Sequence, residues 1–507
     1  MYRSIPQLLA DAAARDAEGS WLRTDDVRLT FAEAVAAVGG RAATLQEHGL
    51  ARGDLVVLTA RTTPQYLLAW LAVTSLGGIA VPTNPASSRA EFTGLLAQTR
   101  PRLIVTDTEL RPLIESIDTA SAGVLDVDGL ASDVTDLRTD LAHSDDIAGL
   151  IPTSGTTGRS KLVMQTHRAY VMAAEGFPFW MELTSADRLM TSLPLFHINA
   201  PAYSVLGSLA CGAGLVLLPR FSASGFLDAA RRHGATEFNA IGAMLEILMR
   251  QPERADDADN PLRLCYTGPA PERDRQLEME RRFGIRIVCG YAMSESPYGL
   301  IWPRGSRPFG TLGTVRQHPV LGVVNEARVV DDEGRDADEG ELLLRSPAVT
   351  PGYWGMPEET AATITEDGWL RSGDLVTRDA NEVYTFVARK KEVLRRRGEN
   401  LSPTEVEEAI QSHPSVVECA VVGVESELSE EDIKAFVVID GPADFGVLRA
   451  WAAQRLAPFK VPRYWQRVAA LPRTPTQRVA KHLLPPRRAE DEYDAESAHP
   501  GYRGATP

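Results

Sequence analysis

The chain is poor in cysteine: Cys211, Cys265, Cys289 and Cys419 lie scattered among 507 residues, with no Cys-x-x-Cys pair. That spacing excludes a disulfide framework and a cysteine-held zinc site, and it fits a reducing compartment. An excess of positive charge is also missing, since the formal net charge is -15. Nonspecific nucleic-acid binding needs a basic surface, so no nucleic-acid partner is expected. The nine histidines show no metal-ligand spacing. No unbroken apolar run of membrane-spanning length occurs: "QYLLAWLAVTSLGGIAVP" is interrupted by Gly77-Gly78 and stopped by Pro82. It reads as a helix running into a buried strand, and no membrane span is expected. "MYRSIPQLLADAAARDAEG" reads as a short amphipathic helix without a cleavage signal, so the expected location is cytoplasmic. No internal repeat is visible.

What is present is a soluble, globular composition, 44% hydrophobic and 24% charged, in a chain too long for one simple core. From Leu29 to Gly310 helical and strand patterns alternate. Thr30 and Glu33 have capping-box spacing before a helical run, and "DLVVLTA", "RLIVTD", "GLVLLP" and "RIVCGYA" are short β-branched runs. This predicts an α/β fold: a large N-terminal domain of several subdomains with layered, mostly parallel sheets. Between Gly310 and Val387, short strands separated by Asp/Gly turns predict a β-rich subdomain. After Arg389, Ser402 and Glu405 again have capping-box spacing, with Pro403 at the first helical position. The following helix, two strands and helix predict a small α+β C-terminal domain. The expected boundaries are 1–388, 389–485 and a polar, disordered tail at 486–507.

The stretch "IPTSGTTGRSKLVMQTH", Ile151 to His167, is rich in Ser, Thr and Gly ahead of a lysine. Glycines let backbone N–H groups approach an anion, hydroxyls add donors, and Lys161 supplies compact positive charge. The Walker spacing would require glycine at 160, where Ser160 stands, so this is not that phosphate loop. Two readings stand on these residues alone: an anion cradle, or a polar connection between elements.

Further stretches follow in a fixed order: "LPLFHINA" (193–200), "YTGPAP" (266–271), "GYAMSES" (290–296), "GWLRSGDL" (368–375), "ARKKEVLRRRGENLSPTEVE" (388–407) and "PRTPTQRVAK" (472–481). With the loop, this series resembles the signatures of the adenylate-forming superfamily, which includes acyl-CoA synthetases and other AMP-dependent ligases, adenylation domains of peptide synthetases, and firefly-type luciferases. The resemblance covers nearly the whole chain. It implies two half-reactions. An acid attacks the α-phosphorus of MgATP and expels pyrophosphate; a nucleophile, usually the thiol of CoA, then takes the acyl group and releases AMP.

By the same resemblance, Thr153, Ser154, Gly155, Thr156, Thr157, Gly158 and Lys161 cradle the β- and γ-phosphates. Gly268, Pro269 and Ala270 form the adenine-side loop. Tyr291 lies against the adenine, flanked by Ala292 and Met293, and Ser294 contacts the α-phosphate. Glu295 holds Mg²⁺, a hard cation suited to carboxylate oxygen. Asp374 and Arg389 reach the ribose, and Lys391 is the hinge about which the C-terminal domain swivels. His197 is expected at the pocket wall as a gate, not as a base. Phe196, His197, Asn199, Asn239, Gly242 and Met244 are the candidate acid pocket.

Two departures stand out. The family's Gly-Lys step near the C-terminus reads Gln477-Arg478, and Leu162 follows Lys161 where the family has glycine. Three readings remain: Arg478 does the bridging lysine's work, Lys481 reaches in instead, or the adenylation half is altered. The expected activity is an ATP-dependent acid–CoA ligase acting on a non-amino acid, with Mg²⁺ and CoA. A second reading is an adenylating enzyme with an amine acceptor, such as one activating nitrite for an aryl amine. The third is a silent nucleotide-binding protein.

Overall fold

The computed structural model describes residues 2–119, 121–130, 135–153, 161–268, 270–390, 394–396, 399–425, 431–441, 444–456, 460–473, 479–485 and 492–495. The chain divides into two compact units: Met1–Val329 with Leu343–Ser372 and Arg378–Thr385, and Val330–Leu342 with Gly373–Thr377 and Phe386–Pro507.

Two sheets organise the first unit. One has nine strands, in the spatial order Thr314–Val315, Ser296–Ile301, Arg286–Met293, Leu264–Thr267, Glu237–Asn239, Arg188–Thr191, Gly214–Leu217, Ser20–Arg23 and Arg28–Thr30. The run from Arg286–Met293 to Ser20–Arg23 is parallel throughout. The other has six strands: Gly123–Asp126, Leu103–Thr106, Leu55–Thr59, Ile79–Pro82, Ile147–Thr153 and Lys161–Thr166, with only the last pair antiparallel. The expected α/β class with mostly parallel sheets is therefore the observed one. The parallel strands read as continuous apolar runs because helices cover both faces. The segment 64–82 is a helix, Pro64–Ser75, followed by the buried strand Ile79–Pro82, as its interrupted pattern predicted.

Thr30 caps the helix Phe31–Glu47 with the reciprocal bonds its spacing predicted: the Glu33 amide donates to Thr30 Oγ1 at 3.1 Å, and the Thr30 amide donates to Glu33 Oε2 at 2.8 Å. Ser402 behaves differently. It precedes the helix Pro403–Gln411, with Pro403 in the first turn, but its side chain makes no cap bond. Glu405 is taken by Lys460, whose Nζ lies 2.7 Å from its carboxylate. A full charge outcompetes a backbone N–H for the same carboxylate.

The second unit carries the α+β elements expected after Arg389. Strands Val416–Glu425, Glu431–Ile439, Tyr464–Arg467 and Tyr493–Asp494 form one sheet in that order. Within the span expected as a disordered 486–507 tail, the described residues 492–495 carry this last strand, in which Tyr493 and Asp494 pair with Trp465 and Tyr464. Fully buried Lys434 is 2.6 Å from Glu492 and Arg463 is 3.0 Å from Asp494. The segment's polar composition hid two carboxylates with buried or partly buried cations waiting for them.

Candidate active site

In an open parallel sheet, ligands gather beyond the carboxyl ends of the strands. Four adjacent parallel strands of the nine-stranded sheet lead into the candidate stretches. Arg188–Thr191 leads to Leu193–Ala200, Glu237–Asn239 leads to Gly242, Leu264–Thr267 leads to Gly268, and Arg286–Met293 carries Tyr291. The topology thus gathers residues scattered over a hundred positions along one sheet edge. Crowding there requires glycine: a Cβ on Gly268 would stand 2.5 Å from the Gly290 carbonyl oxygen.

On the acid side, the Asn239 amide donates to Asn199 Oδ1 at 2.7 Å, joining two candidate pocket residues from a strand and a helix start. Asn239 is buried, and its own Oδ1 has no partner among the described residues. Phe196 and His197 pack with ring centroids 4.6 Å apart, and both are half-buried. Met244 is buried, while a Cβ on Gly242 would meet nothing within 4 Å, so Gly242 faces open space.

On the phosphate side, Thr153 and Lys161 stand at the facing ends of two antiparallel strands and pair with each other. Thr153 Oγ1 also donates to the Lys161 carbonyl at 3.3 Å. Ser154, Gly155, Thr156, Thr157 and Gly158 lie outside the described residues, as do Pro269, Lys391 and Arg478. Leu162 is fully buried and its carbonyl accepts from the Trp354 amide at 2.9 Å. The departure from glycine is thus a core anchor for the second strand of this pair.

Sequence reasoning passed over Tyr353. Its hydroxyl donates to Glu295 Oε1 at 2.9 Å, and Lys161 Nζ stands 4.5 Å from the centre of its ring. Burial first, then the neighbouring Glu295 carboxylate, push the phenol well above its ordinary pKa, so it holds its proton at neutral pH. The segment 350–354 is laced to the strand pair and to Glu295. The Thr350 amide donates to the Glu295 carbonyl at 2.8 Å, Thr350 Oγ1 to the Met164 carbonyl at 2.6 Å, and the Met164 amide to the Gly352 carbonyl at 3.0 Å. Gln165 completes the frame by donating to the Ser294 carbonyl. "PGYWG" reads locally as a turn, and only non-local pairing gives it this place. Tyr291, Ala292, Met293, Ser294 and Glu295 are all half-buried, which suits groups that meet a ligand.

In the second unit Asp374 is fully buried, with Arg389 Nε 2.7 Å from its Oδ1. The two candidate ribose residues thus form one ion pair. Lys481 Nζ is 2.8 Å from Glu407 Oε1, which also accepts from the Val421 amide at 2.7 Å. This pairing ties Lys481 to the helix and strand of its own unit.

Comparison with known proteins gives concordant results. The family described as AMP-binding enzyme matches residues 9–354, and its C-terminal domain matches 405–478. A crotonobetaine/carnitine–CoA ligase of Escherichia coli is 30% identical over 467 residues, spanning 86% of this chain and 89% of the relative. ATP-bound MatB from Rhodopseudomonas palustris superimposes with a TM-score of 0.86 at 28% identity, covering 95% of this chain and 98% of the other. An O-succinylbenzoate coenzyme A synthetase of Bacillus subtilis, in complex with ATP and magnesium ion, gives 0.84 at 27%, covering 94% and 98%. No helix among the described residues is long and apolar enough to cross a membrane.

Proposed function

The chain belongs to the AMP-binding enzymes, and from that premise we propose that it is an AMP-forming acid–CoA ligase. An acid oxygen attacks the α-phosphorus of ATP, pyrophosphate leaves, and the acyl-adenylate passes its acyl group to the CoA thiol with release of AMP. The observation that carries this reading is the meeting of Lys161 and Glu295 on Tyr353. A cation for phosphate oxygens and a carboxylate for a hard metal stand on one side chain, at the foot of the Ser/Thr/Gly loop.

The residues present fit magnesium: Tyr353 occupies Oε1 of Glu295 and leaves Oε2 as a hard oxygen donor. Bound there, the metal would neutralise charge on the departing pyrophosphate. Thr153 to Gly158 and Lys161 are proposed to hold the phosphates, Tyr291 the adenine, Ser294 the α-phosphate, and Asp374 with Arg389 the ribose. Rate enhancement then comes from positioning and from charge fixed in advance of the reaction. Lys481 already has Glu407 as a partner, which favours Arg478 as the residue bridging acid and nucleotide. We assign nucleotide and acid binding to 1–388, the mobile cap to 389–485 and the hinge to Lys391, and we read the protein as cytoplasmic.

The test is pyrophosphate release across aliphatic acids, aryl acids, amino acids, and nitrite with an aryl amine, each with and without CoA. CoA-dependent AMP formation with a carboxylic acid is the expected result. Turnover only with nitrite and amine moves the activity to the amine-acceptor reading, and ATP binding with no pyrophosphate under any condition ends both.

A further inference from the structure

Arg316 is a charged side chain with no solvent exposure. Three tyrosine rings enclose its guanidinium: the Cζ lies 5.5 Å from the ring centres of Tyr203 and Tyr266 and 5.3 Å from that of Tyr298. Nη2 donates to Tyr266 Oη at 2.6 Å and, more weakly, to the Leu300 carbonyl at 3.4 Å. Nε and Nη1 have no hydrogen-bond partner among the described residues. Burial first pushes the Tyr203 and Tyr298 phenols up, so both stay neutral and offer no countercharge. Tyr203 donates to the Pro297 carbonyl and Tyr298 to the Gln317 carbonyl, and the Tyr203 hydroxyl also interacts with the Arg316 guanidinium. Ring faces stabilise a cation only partly, and a desolvated guanidinium with idle donors is costly.

The cage adjoins the acid side of the candidate site. Tyr203 follows Asn199 by one turn of the same helical segment, and Tyr266 pairs in register with Asn239 on the neighbouring strand. Asn199 and Asn239 are hydrogen-bonded to each other, and Asn239 Oδ1 is a second buried atom without a partner among the described residues. Gly290, directly before Tyr291, lies against the pair: a Cβ there would stand 2.6 Å from Tyr266 Oη and 2.9 Å from Arg316 Nη2. Phe177 packs on Tyr203 and Tyr266 with centroids 5.2 and 5.3 Å away, which limits the depth available.

We propose that Arg316 is the specificity determinant of the acid pocket, receiving an anionic oxygen group of a compact acid. The group is either the far carboxylate of a short organic diacid or a small inorganic oxyanion. This deepens the ligase reading and rests on its placement of the acid pocket. The tyrosine cage excludes long chains and bulky rings.

Calorimetry on the full chain, with Mg²⁺ and a non-hydrolysable ATP analogue present, tests this with succinate, butyrate and nitrite. Succinate and butyrate share a four-carbon length and differ in the distal carboxylate. Wild type is expected to bind succinate, or nitrite, roughly 10- to 100-fold more tightly than butyrate. Arg316→Met should abolish that preference while leaving analogue binding intact, and Arg316→Lys should restore part of it. Which anion wins identifies the source of the group. Equal wild-type affinity for succinate and butyrate with no nitrite binding overturns the proposal without any variant, as does a preference unchanged in Arg316→Met. The two readings fail separately. Arg316-dependent anion binding without pyrophosphate release from any acid sinks the ligase and keeps the site; release with neutral acids at a rate indifferent to Arg316 does the reverse.

Discussion

At Tyr353 a lysine and a glutamate share one side chain, whereas at Arg316 a cation is enclosed by three tyrosines with two donors unpaired among the described residues. The first arrangement lets opposite charges offset each other before any ligand arrives, and its two charged residues are half-buried around a buried Tyr353. The second leaves a fully buried charge for something else to complete. The difference teaches where specificity resides. A corner serving the same nucleotide in every turnover benefits from a fixed, internally balanced frame. A corner that must choose among acids discriminates most when the wrong ligand leaves a buried donor unpaired.

The strongest way to break this contrast is at Glu295. Glu295→Gln keeps the shape and can still accept from Tyr353, but removes the charge that a hard metal needs. The expected result is a loss of about 1000-fold in the rate of pyrophosphate release, with acid binding unchanged. Stopped-flow release assays and calorimetry with the acid measure the two halves; a matching loss of acid affinity would merge the corners. Next in size is Arg478→Ala, expected to slow the first half-reaction about 100-fold while transfer from a supplied acyl-adenylate to CoA persists. Lys481→Ala, which removes the cation beside Glu407, should instead lower the melting temperature of the C-terminal unit. Reversal of the two phenotypes would make Lys481 the bridging residue.

Tyr353→Phe sharpens the comparison more finely. The ring beneath Lys161 stays and only the bond to Glu295 goes. Hydrogen bonds to charged groups contribute about 1.5–3 kcal/mol, so the apparent magnesium constant should rise roughly 10-fold or more. The KM for the acid should hold. Rates titrated against Mg²⁺ at saturating ATP decide it, and an unchanged magnesium dependence removes Tyr353 from the phosphate frame.

These residues also mark how far the sequence could be read. The α/β class, the strands at the sheet centre and the cap at Thr30 were legible because each depends on local pattern and spacing. Ser402 and Glu405 have the same spacing as Thr30 and Glu33, yet Lys460, distant in sequence, takes the glutamate. Tyr353 was invisible because "PGYWG" signals a turn, and its pairing partner lies nearly two hundred residues earlier. Arg316 sits in "GTVRQHP", a polar stretch that reads as solvated, and only the packing of Tyr203, Tyr266 and Tyr298 buries it. Candidate pocket residues were nameable through resemblance, but the unsatisfied atoms that distinguish this pocket belong to tertiary structure alone.

The smallest expected effect comes from Gly242→Ala, which adds one methyl group where nothing stands within 4 Å. At the first residue of the helix Gly242–Met249 the change relieves backbone entropy, so stability should hold or rise by at most about 1 kcal/mol. The methyl enters the open side of the acid pocket, where one methylene of misfit is worth about 1–3 kcal/mol. KM should therefore rise for larger acids, stay level for the smallest, and remain constant for ATP. Steady-state kinetics over a homologous acid series reads all three. If KM for ATP moves with acid size, the nucleotide frame and the acid pocket are one coupled surface, and the division of labour between Tyr353 and Arg316 does not hold.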